Sequence, residues 1–142
     1  MDVTIRESVC GAIYNHAKQT YPNECCGFLY GNDKNPREIL LAQRIDNARE
    51  GDQRARFEIN PDDYRKAEEY ARKNQLSFLG IYHSHPDHPA VPSDYDLKHA
   101  FPFFSYIIVS LNKNKILDLR SWRLDDSSFE EEIVNKDLVL NC

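Results

Sequence analysis

The sequence has no apolar run near the roughly 20 residues that a membrane-crossing helix needs. It also has no secretory apolar leader at its N-terminus. The chain is therefore expected in the cytoplasm, with no membrane partner. Nor is there a cluster of basic residues. The 18 Lys and Arg and the 23 Asp and Glu are mixed along the chain and give a net charge of −5, which argues against nucleic acid as a partner. Four cysteines (Cys10, Cys25, Cys26 and Cys142) form neither a zinc-finger nor a Cys-x-x-Cys spacing. In a cytosolic chain they read as reduced thiols. Cys25 and Cys26, being neighbours, face opposite sides of any strand and read as small apolar filler. Repeats, linkers and low-complexity stretches are absent. The 142 residues, 41% hydrophobic and 11% aromatic, suffice for one real core, so residues 1–142 are expected to form a single soluble domain.

Local patterns give the elements. Thr4-Ile5-Arg6-Glu7 is a capping-box pattern. It predicts a helix with Val9, Ile13, Tyr14 and Ala17 on one face, ending before Pro22. Strands are predicted over 25–31, 38–45 and 55–59, with a turn at 32–36 and a polar loop at 47–54. Asn60 as N-cap and Pro61 at the first helical position open a helix to about Asn74. Its Tyr64, Ala67, Tyr70 and Ala71 are expected to face inward. Leu76 to Tyr82 reads as a buried strand. Ser93 reads as the N-cap of another helix with acids in its first turn. Two more strands, 105–111 and 116–124, flank a turn at 112–114. The tail from Phe129 to Cys142 is acidic and then apolar, with no element assigned. The order α-β-β-β-α-β-α-β-β predicts an α/β fold of the α+β type, a mixed β-sheet flanked by helices.

The chemistry concentrates after the buried strand, in the run from His83 to Asp96. Two histidines at i and i+2 on a strand share a face, roughly 7 Å apart along the chain, so both rings reach one ion. Eleven residues after His85 comes Asp96, near a helix start. Two imidazoles and a carboxylate make a catalytic zinc set with a fourth position left for water. Three prolines (Pro86, Pro89 and Pro92) stiffen the loop between them. Pro86 and Pro89 are expected to keep Asp87-His88 extended and leading away from the strand end. Hydrolysis also needs a base that is not a ligand. Glu24 is the candidate; by position alone it also reads as a solvated carboxylate after a helix end. Ser93 is a candidate hydroxyl donor to an oxyanion, and equally a plain N-cap.

Taken together, Glu24, His83-Ser84-His85-Pro86, Ser93 and Asp96 resemble the JAMM (MPN+) metalloprotease motif. In that motif a distal Glu precedes His-x-His-Pro; seven residues separate the second His from Ser, and two more precede Asp. Glu24-Cys25-Cys26-Gly27-Phe28-Leu29-Tyr30-Gly31 and the block from His83 to Leu111 resemble the small stand-alone prokaryotic members, and the likeness runs from about residue 5 to 124. It implies the MPN/JAB fold, which is cytidine-deaminase-like. It implies Zn²⁺ held by His83, His85 and Asp96, with Glu24 moving the proton and Ser93 donating to the carbonyl oxygen. The implied substrate is a peptide or isopeptide bond after the Gly-Gly end of a ubiquitin-like β-grasp protein. For the small members that is a ThiS/MoaD-type sulfur carrier or its amino-acid adduct. The chain is short of the insertions that shape polyubiquitin selectivity in larger relatives.

Three other readings remain to be weighed. His83-x-His85-x-Asp87-His88 is also the string of two-metal metallo-β-lactamase-like hydrolases, although only His99 follows it as a further histidine. A zinc deaminase would need His-x-Glu and Pro-Cys-x-x-Cys, which are absent. Related MPN domains without ligands serve as scaffolds, so a non-catalytic zinc-binding interaction module is the remaining alternative.

Overall fold

The computed structural model describes residues 1–125 and 127–137. Among these residues, seven strands and three helices follow one another as β1 (Asp2–Arg6), α1 (Glu7–Thr20), β2 (Cys26–Asn32), β3 (Arg37–Ile45), α2 (Pro61–Lys73), β4 (Ser77–Pro86), α3 (Asp94–Lys98), β5 (Ser105–Asn112), β6 (Lys115–Asp125) and β7 (Ser128–Asp137). The mixed sheet closes on itself in the order β1-β3-β2-β4-β5-β6-β7. Closure leaves one apolar cluster under α1, built on Val3, Ile5, Ile13, Leu29 and Ile107. A second lies under α2 on the other face of the strands, built on Phe28, Tyr30, Ala67, Ala71 and Ile81.

Four expectations change. Thr4 is not a helix cap. It lies in β1, which pairs in parallel with both β3 and β7. Burial of Val3 and Ile5 outweighs the capping pattern, and α1 starts after Arg6 with no side-chain cap. Residues 55–59 form no strand. Their backbone bonds go to the Asn47 amide and to Ala48 instead. The tail left unassigned contains β7, which pairs antiparallel with β6 and parallel with β1. Its Glu132 is buried against Ser121 and Arg123, so an acidic run without an assigned element supplies a closing strand. Finally, β4 runs past Tyr82 to Pro86, and both histidines lie within it.

The other elements stand close to their expected places. Asn60 caps α2 by accepting from the Asp62 N–H at 3.0 Å. Ala67 and Ala71 are buried, while Tyr70 is 37% exposed and rests against the Tyr30 ring. Cys10, Cys25 and Cys26 are buried free thiols. Burial pushes Cys25 up to about 11, as suits filler. Cys142 lies outside the described residues.

Candidate metal and hydrolytic site

The site is built where β2 runs beside β4. The two pair antiparallel with Cys26 opposite His83. The pairing continues one step upstream: the Ser84 N–H donates to the Cys25 carbonyl at 3.2 Å, and the Cys25 N–H donates to Ser84 Oγ at 2.8 Å. That register carries Glu24 alongside the histidine pair. On the far side of β4, β5 lies parallel, with His83 opposite Ile108 and His85 opposite Ser110.

His83, Ser84 and His85 alternate across the strand. Ser84 faces inward to hold Cys25, and the two rings share the other face. His83 Nε2 lies 3.1 Å from His85 Nε2 and 3.3 Å from Asp96 Oδ2. His85 Nε2 lies 3.2 Å from the same oxygen. Among the described residues, these are the side chains whose ligand atoms converge as a metal-binding group.

Asp96 comes from α3, and the cap of that helix sets its direction. Ser93 Oγ accepts from the Asp96 N–H at 3.0 Å, and Asp96 Oδ2 accepts from the Ser93 N–H at 2.9 Å, a reciprocal capping box. Because Ser93 Oγ acts there as acceptor, its own hydrogen remains to be donated.

The donor set fits a zinc ion. A tetrahedron with bonds of ~2.0–2.1 Å puts its ligand atoms roughly 3.3 Å apart, which is the spacing seen. His85 Nδ1 lies 2.8 Å from the Pro89 carbonyl. A carbonyl only accepts, so the ring proton sits on Nδ1 and the Nε2 lone pair faces the cluster. The Phe57 ring rests 4.6 Å from the His83 ring. Burial holds His83 below its ordinary value, against the pull of Asp96. For Asp96, burial pushes the carboxyl up, but the neighbouring His83 and His85 rings and the hydrogen bond from the Ser93 N–H outweigh it and hold it well below the carboxylate range. A lowered imidazole and a lowered carboxyl both favour the deprotonated forms that metal ligands take.

Glu24 is 4% exposed, and its Oε1 is buried without a hydrogen-bond partner. Burial pushes its carboxyl up to about 9, and the negative charge of Asp96 adds to the shift. Such a carboxyl holds its proton at neutral pH, and a cation held by the neighbouring ligand cluster would lower it toward the proton-accepting form. A solvated surface acid is therefore not what the fold makes of it.

Asp87 and His88 lie apart from the cluster. Asp87 adopts a left-handed φ of 61°, so the segment turns instead of running extended. Its carboxylate accepts from the Tyr21 hydroxyl at 2.8 Å and from Asn112 Nδ2 at 2.9 Å, and His88 is exposed. These bonds oppose the two-metal reading.

The chain as a whole has counterparts among known proteins. Residues 6–125 match the family model described as prokaryotic homologs of the JAB domain. The chain belongs to the prokaryotic JAB family. Within and around that family, it is 31% identical over 139 residues to the CysO-cysteine peptidase of Mycobacterium tuberculosis, covering 94% of this chain and 90% of that protein. It is 28% identical over 111 residues to the desampylase of Pyrococcus furiosus, covering 78% and 73%. A solution structure of a Desulfitobacterium hafniense protein superposes with a TM-score of 0.83 at 30% identity, covering 95% and 92%. A JAB1/MPN domain protein from Archaeoglobus fulgidus, at 16% identity and a TM-score of 0.56 over 95% and 99%, shares the JAB fold.

Three features of this JAB site are not apparent from motif spacing. Pro89 supplies the carbonyl that sets the His85 tautomer. Ser84, hidden between the histidines, fastens the Glu24 segment. An apolar pocket of about 350 Å³ opens beside His83 and Asp96, with Phe57, Tyr64, Ile81, Phe101 and Tyr106 among its walls. The aromatic content of 57–64 and 101–106 was the available signal for the pocket.

Proposed function

We infer that this protein is a zinc-dependent peptidase or isopeptidase acting after the C-terminal Gly-Gly of a ubiquitin-like, ThiS/MoaD-type sulfur carrier, with residues 1–142 as its single domain. The observation that carries the reading is the convergence of the His83, His85 and Asp96 ligand atoms within 3.3 Å of one another, beside the buried Glu24 carboxyl, whose Oε1 has no partner. The names of the relatives, CysO-cysteine peptidase and desampylase, support the choice of substrate class.

His83, His85 and Asp96 would hold the zinc. When bound, zinc supplies Lewis acidity and lowers the pKa of a water toward about 7. Glu24 takes the water's proton at its carboxylate and delivers it to the departing amine nitrogen. Ser93 Oγ–H donates to the substrate carbonyl oxygen as that atom gains charge. The capping box keeps the hydroxyl aimed, and the aromatic walls beside His83 exclude water from that flank. A diglycine end suits such a site, since a chain without Cβ approaches the ligands closely.

The test combines metal analysis with turnover. Purified protein should carry about one zinc per chain and cleave a ThiS/MoaD-type carrier extended past its Gly-Gly end. Glu24→Gln should keep the zinc and lose about 10²–10⁴-fold in rate. Replacing the second glycine with a bulky residue should stop cleavage. Zinc bound without hydrolysis of any β-grasp fusion would instead establish a non-catalytic scaffold.

A further inference from the structure

The segment between β3 and α2 has no regular secondary structure, yet it touches both halves of the site. At its centre is the Asn47 side chain, which uses its full hydrogen-bonding capacity, two donors and two lone pairs. Nδ2 donates to the carbonyls of Glu24 and Arg56, each at 3.2 Å. Oδ1 accepts from the N–H groups of Arg49 at 3.0 Å and Glu58 at 3.1 Å. All four partners are backbone atoms.

The same segment holds the other side of Glu24. The Glu24 N–H donates to the Gln53 carbonyl at 2.7 Å. Gln53 Nε2 in turn donates to the carbonyls of Asn47 at 3.1 Å and Arg49 at 2.9 Å. Glu24 precedes β2, so the sheet ladder does not hold it; its N–H and C=O both end on this loop. At the loop's far end, Phe57 lies against the His83 ring. Arg56 stacks over the Tyr95 ring at 4.7 Å, and Glu58 accepts from the Tyr95 hydroxyl at 3.3 Å. Tyr95 immediately precedes Asp96.

We propose that Asn47 is a positioning residue: it ties the segment that fixes the Glu24 backbone to the one that packs on His83 and Tyr95, and so sets where the base stands relative to the metal ligands. The inference rests on the functional reading above for its effect on rate, but not for its effect on structure. A carboxylate displaced by about 1 Å costs on the order of 10²-fold in rate. A saturated side-chain amide is a stiff way to prevent that displacement.

Two variants separate positioning from general support. Asn47→Ala removes all four bonds. Asn47→Asp keeps an oxygen to accept from Arg49 and Glu58 but turns a second oxygen toward the Glu24 and Arg56 carbonyls. It therefore preserves the loop turn while breaking the link to Glu24. Both variants should keep one zinc per chain and a nearly unchanged KM, and lose about 10–100-fold in kcat. In a Glu24→Gln background, Asn47→Asp should cost nothing further, because the two act as a unit. Independently of activity, amide exchange at Glu24 and Cys25 should quicken in both variants while α2 protection stays unchanged.

Near-normal turnover in Asn47→Asp, additive losses with Glu24→Gln, or unaltered exchange at Glu24 would overturn the proposal. If the wild type hydrolyses no carrier, the functional reading fails by itself, and exchange at Glu24 still decides whether Asn47 holds that backbone.

Discussion

Ser93 and Asp96 hold each other through two reciprocal bonds, of 3.0 and 2.9 Å, and the carboxylate oxygen that closes the second bond is the one facing His83 and His85. One helix cap thus orients a candidate metal ligand and a candidate oxyanion donor together. The sharing makes their variants distinguishable.

Asp96→Ala should strip the zinc or weaken it severely, because two neutral imidazoles alone make an incomplete set. Asp87→Ala should retain one zinc per chain, losing only the bonds to Tyr21 and Asn112. Metal analysis after gel filtration separates the two. Loss of metal from Asp87→Ala with retention in Asp96→Ala would reverse the assignment.

Ser93→Ala should retain zinc while kcat falls about 10²–10³-fold, the usual loss for one oxyanion donor. Melting should also show about 1 kcal/mol of lost capping. Ser93→Asp keeps a capping acceptor but cannot donate when ionised, so it should recover stability without rate. A variant that recovers both would leave Ser93 as a cap alone.

Acid stability should depend on His16. Its Nδ1 lies 2.7 Å from the buried Tyr82 hydroxyl, and burial, aided by the Arg44 charge, lowers its pKa from 6.5 to about 4. Between those values the unfolded chain binds the proton and the folded chain does not. This contribution to stability is therefore full above about pH 6.5 and is lost as pH falls toward 4. His16→Gln keeps a hydrogen-bonding partner for Tyr82 without titrating. Urea midpoints in metal-free protein should fall less steeply across that window in the variant, and equal slopes would refute the assignment.

Closure of the sheet should depend on Glu132, which is 3% exposed and accepts from Arg123 at 2.6 Å and Ser121 at 2.8 Å. Glu132→Ala should cost roughly 2–3 kcal/mol, below the ~3–5 for a fully buried pair because Arg123 is partly exposed. Zinc content should not change. A melting temperature equal to wild type would show that β7 is held by its backbone ladder alone.

The residue types and offsets of Glu24, His83, His85, Ser93 and Asp96 could be read from the chain alone, as could α2, whose Asn60-Pro61 start is local chemistry. The strand alternation of His83 and His85 and the Ser93 cap are also local, so the sequence alone indicated that two rings share a face and that Asp96 opens a helix. Tertiary structure decided the remainder. Whether Thr4 caps a helix or lies in β1 depended on burial of Val3 and Ile5 between β3 and β7, partners far along the chain. That the acidic tail holds a strand, with Glu132 buried in it, depended on Arg123 and Ser121. Whether the Glu24 carboxyl is solvated or buried depended on the register of β2 with β4 and on the loop whose Asn47 bonds the Glu24 carbonyl. Local propensity is written in short windows of sequence, whereas burial and the partner of each polar group are properties of segments that meet only when the sheet closes.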